Sequence, residues 1–261
     1  MSNYLAAIWK CRYFWLAMVR MDLRTRYRRS VLGIGWSLLQ PIAMTAVMCT
    51  VFCTLFNETL ADYAPSLMAG FCFWNFITTA TSQGCSCLFQ GEKYIRQYPA
   101  PIAIYPLRAV LGASFHFLIA LSLVLVLRIV MKGFDNIPAL LIHLVPTLFL
   151  LFVLGWSLAI LVSFATVYFP DTQNITEVGL QILFYATPII YKPQMLIDKG
   201  LGWVVYLNPL AAYLQILRDP ILYGVSPPVQ AYLMAILTAT VFAGMAAATL
   251  LQLQRKIIFQ L

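Results

Sequence analysis

The feature that most limits what this chain can become is a junction inside RMDLRTRYRRSVLGIGWSLLQP, residues 20–41. Five arginines, Arg20, Arg24, Arg26, Arg28 and Arg29, crowd its first half, and beyond Ser30 no charged residue appears until Glu58. That uncharged interval exceeds the ~20 apolar residues a helix needs to cross a bilayer core. A dense arginine block directly before a span is retained on the cytoplasmic side, which orients the first crossing. A solvated charge run is the plainer alternative. Taken as a topological mark, the arginines assign every later segment to a side.

Of 261 residues, 62% are hydrophobic and 10% charged, where a soluble domain carries roughly 25% charged residues. The expected class is an all-α, multi-pass membrane protein: one domain over residues 1–261 with six spans and no room for a large soluble module. The net charge of +8 sits mostly beside spans, which favours anionic headgroups over nucleic acid. Twelve of the 17 Lys and Arg residues fall on the expected cytoplasmic side, with both termini. No cleavable signal peptide is read in the charged first 30 residues, so the first helix is expected to stay as an anchor. The six cysteines lie mostly in apolar segments without zinc-knuckle spacing, and read as small buried hydrophobes, not as a metal site.

Residues 4–28 are expected to form an amphipathic helix in the membrane interface. Leu16, Val19, Leu23 and Tyr27 mark its apolar side, and Arg20, Arg24 and Arg28 an adjacent stripe. Spans are expected at about 32–56, 66–88, 107–131, 139–169, 172–191 and 229–251. Between the second and third lies a polar, proline-punctuated cytoplasmic loop, residues 90–106. Its GEKYIRQY core has the composition for two helical turns before Pro99 and Pro101. Residues 193–226 are apolar but broken by Pro and Gly too often for a crossing. Two short helices, near 194–207 and 210–223, are expected there to dip into the outer leaflet and return.

The fifth span carries Gln173, Glu177, Gln181 and Tyr185, each four residues after the last and so stacked on one face. Such a ridge is either a hydrogen-bonded seam to another helix or the hydrophilic wall of a conduit. The second span carries Asn75, Thr79, Ser82, Gln83 and Ser86, where small residues favour close helix packing. His116 and His143 are lone histidines on apolar spans and read as hydrogen-bonded interior residues. No paired-carboxylate site, Ser/His/Asp set or phosphate-binding P-loop is present in the sequence, so no catalytic residue is expected.

Three stretches, DLRTRYRRSVLGIGWSLLQP, FPDTQNITEVGLQILFYATPIIY and YLNPLAAYLQILRDPILYG, together resemble the ABC-transporter permeases that export polysaccharides, most of all the O-antigen exporters. The likeness runs in order over nearly the whole chain. It implies a homodimer of permeases with two separate ATPase subunits, which bind ATP and Mg while this chain holds no cofactor. The cargo it implies is a glycan on an undecaprenyl-diphosphate lipid, moved outward across the bacterial cytoplasmic (inner) membrane. By the same resemblance, Glu92, Lys93, Tyr94, Arg96 and Tyr98 contact the ATPase, and the helices of residues 193–226 form an outer gate with Pro209, Arg218 and Asp219. Trp36 and Gln40 of the first span, with Gln181 and Tyr185 of the fifth, line the glycan path. Arg24, Arg28 and Arg29 hold lipid headgroups, and either stop there or also meet the diphosphate. Two other readings remain: the same architecture moving teichoic acid, capsule or a drug, and an intramembrane lipid-linked sugar transferase. The transferase has only Asp171 with Glu177 as a candidate pair, and a cap with a dipole-favoured glutamate explains both.

Overall fold

The structure, a computed structural model, describes all residues except 1, 29, 31, 57, 58, 99, 134–136, 255, 258, 259 and 261. Every regular element among the described residues is helical. The N-terminal helix is not continuous: α1 (Ser2–Lys10) and α2 (Arg12–Tyr27) are separated by a turn at Cys11. The Cys11 N–H bonds the carbonyls of both Ala7 and Ile8 at 3.2 Å, and the Trp15 Nε1–H donates to the Ile8 carbonyl. The bend lets Ile8 and Met18 both enter the core. It also shifts the inward face of α2, which centres on Met18 and not on Leu16, 38% exposed.

A short 3₁₀ turn (Gly33–Gly35) leads into α3 (Trp36–Phe56). The first span is therefore helical from Trp36, not from residue 32, because the Ser30 hydroxyl accepts the Gly33 N–H and holds a turn there. Next comes α4 (Leu60–Gln97), 38 residues long and about 57 Å at 1.5 Å per residue. Thr59 caps its start, accepting the Asp62 N–H. In the expected loop at 90–106 the two helical turns are present. Residues 90–97 extend α4 by two turns without a break, and Tyr98 turns to extended backbone, as a residue before proline must. Its second part is buried: Ile102, Ala103, Ile104 and Tyr105 are each under 10% exposed. Ala103 is pinned from both sides, its N–H donating to Tyr4 Oη and its carbonyl accepting from Trp156 Nε1.

The remaining elements are α5 (Ile104–Lys132), α6 (Ile137–Tyr168), α7 (Thr172–Ala186), α8 (Pro193–Asp198), α9 (Gly202–Leu207), α10 (Pro209–Tyr223) and α11 (Val229–Leu253). Helix α4 is the axle, with α3, α5, α6, α7 and α10 all resting on it. Lipid tails are as apolar as leucine, so dense packing and small residues hold such helices together. Gly84 of α4 shows it: a Cβ there would lie 2.8 Å from the Ala159 Cα of α6.

Four helical segments are long and apolar enough to cross a membrane: Trp36–Phe56, Ile104–Val130, Leu140–Tyr168 and Val229–Leu253. The other two expected spans differ. Helix α4 has the length, but its interior carries Asn75, Thr79, Gln83 and Gln90. Helix α7 ends at Ala186 and residues 187–191 are bent, so it spans about 22 Å, short of a full crossing. The first of the two short helices is itself two, α8 and α9, parted at Lys199–Leu201 where Gly200 takes φ +75. The chain that leaves at Thr187 returns at Asn208, whose Nδ2 donates to Thr187 Oγ1 at 2.8 Å.

Candidate functional site

The ridge on α7 faces away from its own chain. Helix α7 rests on α4 through Phe184, which stacks on Phe71 at 6.3 Å and meets Trp74 edge-on at 5.4 Å. None of its residues is buried. Gln181 is exposed and Tyr185 is 66% exposed. At the start of the ridge Gln173 Nε2 donates to Glu177 Oε1 at 3.3 Å, and at its end Tyr191 Oη donates to the Tyr185 carbonyl at 2.8 Å.

Trp36 and Gln40, the other expected path residues, lie elsewhere. They border a cavity of about 340 Å³ walled by α2, α3, α4 and α5, which no residue of α7 borders. One chain therefore does not bring the two halves of the expected path together. Helices α3 and α7 instead flank α4 separately.

The expected ATPase-contact segment is the last two turns of α4. Lys93, Arg96 and Tyr98 are exposed there, and Arg96 Nε pairs with Glu92 Oε1 at 3.0 Å, four residues away. Tyr94 is half-buried, and the Phe14 ring of α2 packs on both Tyr94 (6.0 Å) and Tyr98 (5.5 Å). This end of α4 thus touches the N-terminal helix.

Arg24 and Arg28 are exposed, as a headgroup-facing stripe requires; Arg29 lies outside the described residues. Among the expected gate residues, Pro209 opens α10 behind the Asn208 cap. Arg218 sits inside the core at 9% exposure. Its guanidinium donates to three carbonyls, Ser66 at 3.0 Å, Pro188 at 2.7 Å and Ile189 at 2.7 Å. It therefore ties α10 to α4 and to the bend after α7. Gly70 makes room for it, since a Cβ there would collide with the guanidinium. Asp219 is half-buried beside it.

Several residues of this region went unread in the sequence. Asp22 pairs with Arg108 at the start of α5 through both carboxylate oxygens. Tyr27 Oη, Ser37 Oγ and His116 Nδ1 form a closed hydrogen-bonded set at 2.8–2.9 Å, joining α2, α3 and α5. His143 likewise bonds Tyr232 and Ser226 at 3.0 and 3.1 Å, so both histidines are hydrogen-bonded, as expected, though each is only half-buried. Asn75, Thr79 and Gln83, read as a packing stripe, border cavities instead, while Gly84 and Ala80 beside them do the packing. The available signal was the spacing of Asp22 and Arg26, four apart and off the Arg20–Arg24–Arg28 stripe.

Comparison with known proteins matches the ABC-2 type transporter family over residues 13–222. The O-antigen export system permease protein RfbA of Klebsiella pneumoniae is 25% identical over 213 residues, 80% of each chain. Its namesake in Myxococcus xanthus is 24% identical over 257 residues, 98% of each chain. The polysialic acid transport protein KpsM of Escherichia coli is 24% identical over 243 residues, 88% of this chain and 90% of that one. These are the kind of relatives the three sequence stretches resemble, and with a family match across four-fifths of its length the chain belongs to the ABC-2 type transporters.

Proposed function

We propose that this chain is the membrane subunit of an ATP-driven exporter of a lipid-linked polysaccharide. It works as a homodimer with two ATPase subunits in the bacterial inner membrane, with both termini in the cytoplasm. The observation that carries the reading is the α7 ridge, a row of glutamine and tyrosine left uncovered by its own chain. Uncovered amides on an apolar chain need water or a second chain. A sugar polymer needs hydroxyl-pairing groups and flat rings without a row of fixed charges, so that it slides without being held. Relatives named for O-antigen and polysialic acid export support that class of cargo.

In this reading α3 and α7 of two chains meet around the path, bringing Trp36 and Gln40 of one to Gln181 and Tyr185 of the other. The exposed end of α4, with Glu92, Lys93, Tyr94, Arg96 and Tyr98, docks on the ATPase, where ATP and Mg are bound. Helices α8 to α10 cover the outer end. Pro209 and Asp219 belong to that cover, and Arg218 holds it to α4. Arg24, Arg28 and Arg29 hold the N-terminal helix to anionic headgroups.

The test is accessibility. In a chain with its native cysteines replaced, Gln181→Cys and Tyr185→Cys should react with a membrane-impermeant thiol reagent in the assembled exporter, and glycan in transit should protect them. Labelling no faster than at a lipid-facing position of α11, with or without glycan, would remove the ridge from the path.

A further inference from the structure

The cavity beside Trp36 has a neighbour. A second cavity, of about 270 Å³, lies between α2, α4 and α5, and both are bordered by Arg26 and His116. The two adjoin at Arg26 and His116 and follow one another along α4 from Gln90 down to Cys72, about 27 Å of helix, and are together called the crevice. Both cavities mix polar and apolar lining, but the charges are uneven: Asp22 and Arg108 border only the one nearer Gln90, Arg26 borders both, and Phe76, Phe117 and Ala120 border only the one nearer Cys72. Asn75 and Thr79 run down one wall of the latter.

The charges in this crevice do not cancel. Among the described residues that border it, Asp22 and Arg108 pair with each other, and Arg26 makes no ion pair with a described residue. Arg26 is exposed, so a ligand can reach it. A second observation concerns Gly112 of α5, which borders the cavity nearer Gln90. Glycine inside a helix costs about 1 kcal/mol relative to alanine and is usually explained by a close neighbour, as at Gly84. A Cβ at Gly112 would meet nothing within 4 Å. Gly179 and Gly244 share that freedom within helices, but of the three only Gly112 borders the crevice. Its missing side chain keeps the crevice open next to the unpaired arginine.

We infer that the crevice is a binding site for the phosphate headgroup of a membrane amphiphile. Arg26 takes the phosphate, the amide and hydroxyl wall of α4 takes the rest of the headgroup, and the end with Phe76 and Phe117 takes the start of the chain. Guanidinium forms forked, charge-assisted bonds to phosphate oxygens, and a crevice with charge toward one end and the phenylalanines Phe76 and Phe117 toward the other matches an amphiphile better than a free ion. Two amphiphiles share this chemistry, an anionic bilayer phospholipid and a polyprenyl phosphate carrier. The site stands whether or not the chain exports a glycan; only the carrier as occupant rests on the exporter reading.

The experiment measures lipid retained by the purified full-length protein, by native mass spectrometry after exchange into phosphatidylglycerol or phosphatidylcholine. Wild type should keep phosphatidylglycerol in preference to phosphatidylcholine. Arg26→Gln should lower that retention about tenfold, while Arg20→Gln, on the outer stripe, leaves it within about twofold. Gly112→Leu should lower it as much by filling the end nearer Gln90, and should unfold no earlier than wild type, which guards against a folding defect in the arginine variant. Displacement of phosphatidylglycerol by undecaprenyl phosphate would assign the site to the carrier, and failure to displace it would assign it to the bilayer lipid. Equal retention in wild type and Gly112→Leu, or no preference over phosphatidylcholine, overturns the site. Neither result bears on the labelling of Gln181→Cys, so the two readings fail separately.

Discussion

Helices α4 and α7 carry the same device, polar side chains four residues apart, and the chain treats them in opposite ways. On α4, Asn75, Thr79 and Gln83 border a crevice whose other walls are α2, α3 and α5. On α7, Gln181 and Tyr185 face outward, and no residue of the helix is buried. The difference lies in what stands beside each helix. Helix α4 is surrounded on most sides, whereas α7 touches the body through Phe184 and through α6. A polar stripe on an apolar chain therefore has no single meaning. Walled by neighbouring helices, it lines a crevice within the chain; left uncovered, it asks for water or another chain.

The comparison can be broken hardest on the walled side. Arg218→Met leaves the carbonyls of Pro188 and Ile189 without this donor and takes the side-chain bond from Ser66, at about 1–3 kcal/mol for each unsatisfied group. A loss of about 3 kcal/mol should lower the thermal midpoint in detergent by about 6–12 °C. An unchanged midpoint would show that the bend after α7 is not held through α10. Next comes the clamp between α2 and α5. Asp22→Asn and Arg108→Gln should each cost about 1–3 kcal/mol, with Arg108 11% and Asp22 39% exposed. The double variant should cost little more than either single one, because the pair acts as a unit. Strict additivity in a thermal-unfolding cycle would mean that the pair does not anchor α2.

The smallest effect on folding belongs to the open ridge. Gln181→Leu with Tyr185→Phe should change stability by no more than about 0.5 kcal/mol, as for surface positions without partners. The same double variant should lower glycan export, read as surface polysaccharide in cells lacking the native gene. A destabilised variant would mean that the ridge is a structural seam, and an unaffected export rate would take it out of the path.

Much of the architecture was legible along the chain because membrane segments announce themselves by local composition. A helix in lipid must satisfy its backbone within itself and present apolar side chains, so four crossings and the break-rich region after α7 could be read from runs of residues and their prolines. Local rules also exposed the α7 ridge and the polar end of α4. The extent of α4 was less legible: GEKYIRQ has the composition for two helical turns, but no local signal says that they continue the preceding helix without a break.

What only the tertiary structure decided is which face of each helix meets which neighbour. Four-residue spacing shows that Asn75, Thr79 and Gln83 share a face, but their contact with an open crevice depends on where α2 and α5 lie. The resemblance alone places Arg218 among outer gate residues; only the packed structure gives its partners, the carbonyls of residues 66, 188 and 189 around a buried guanidinium. In sequence Arg26 is one arginine of a block of five, and only the fold makes the same side chain border both cavities. Composition and spacing act through a residue's own helix and so are written in the chain, whereas burial, pairing and open space arise from segments far apart in sequence and exist only once those segments have packed.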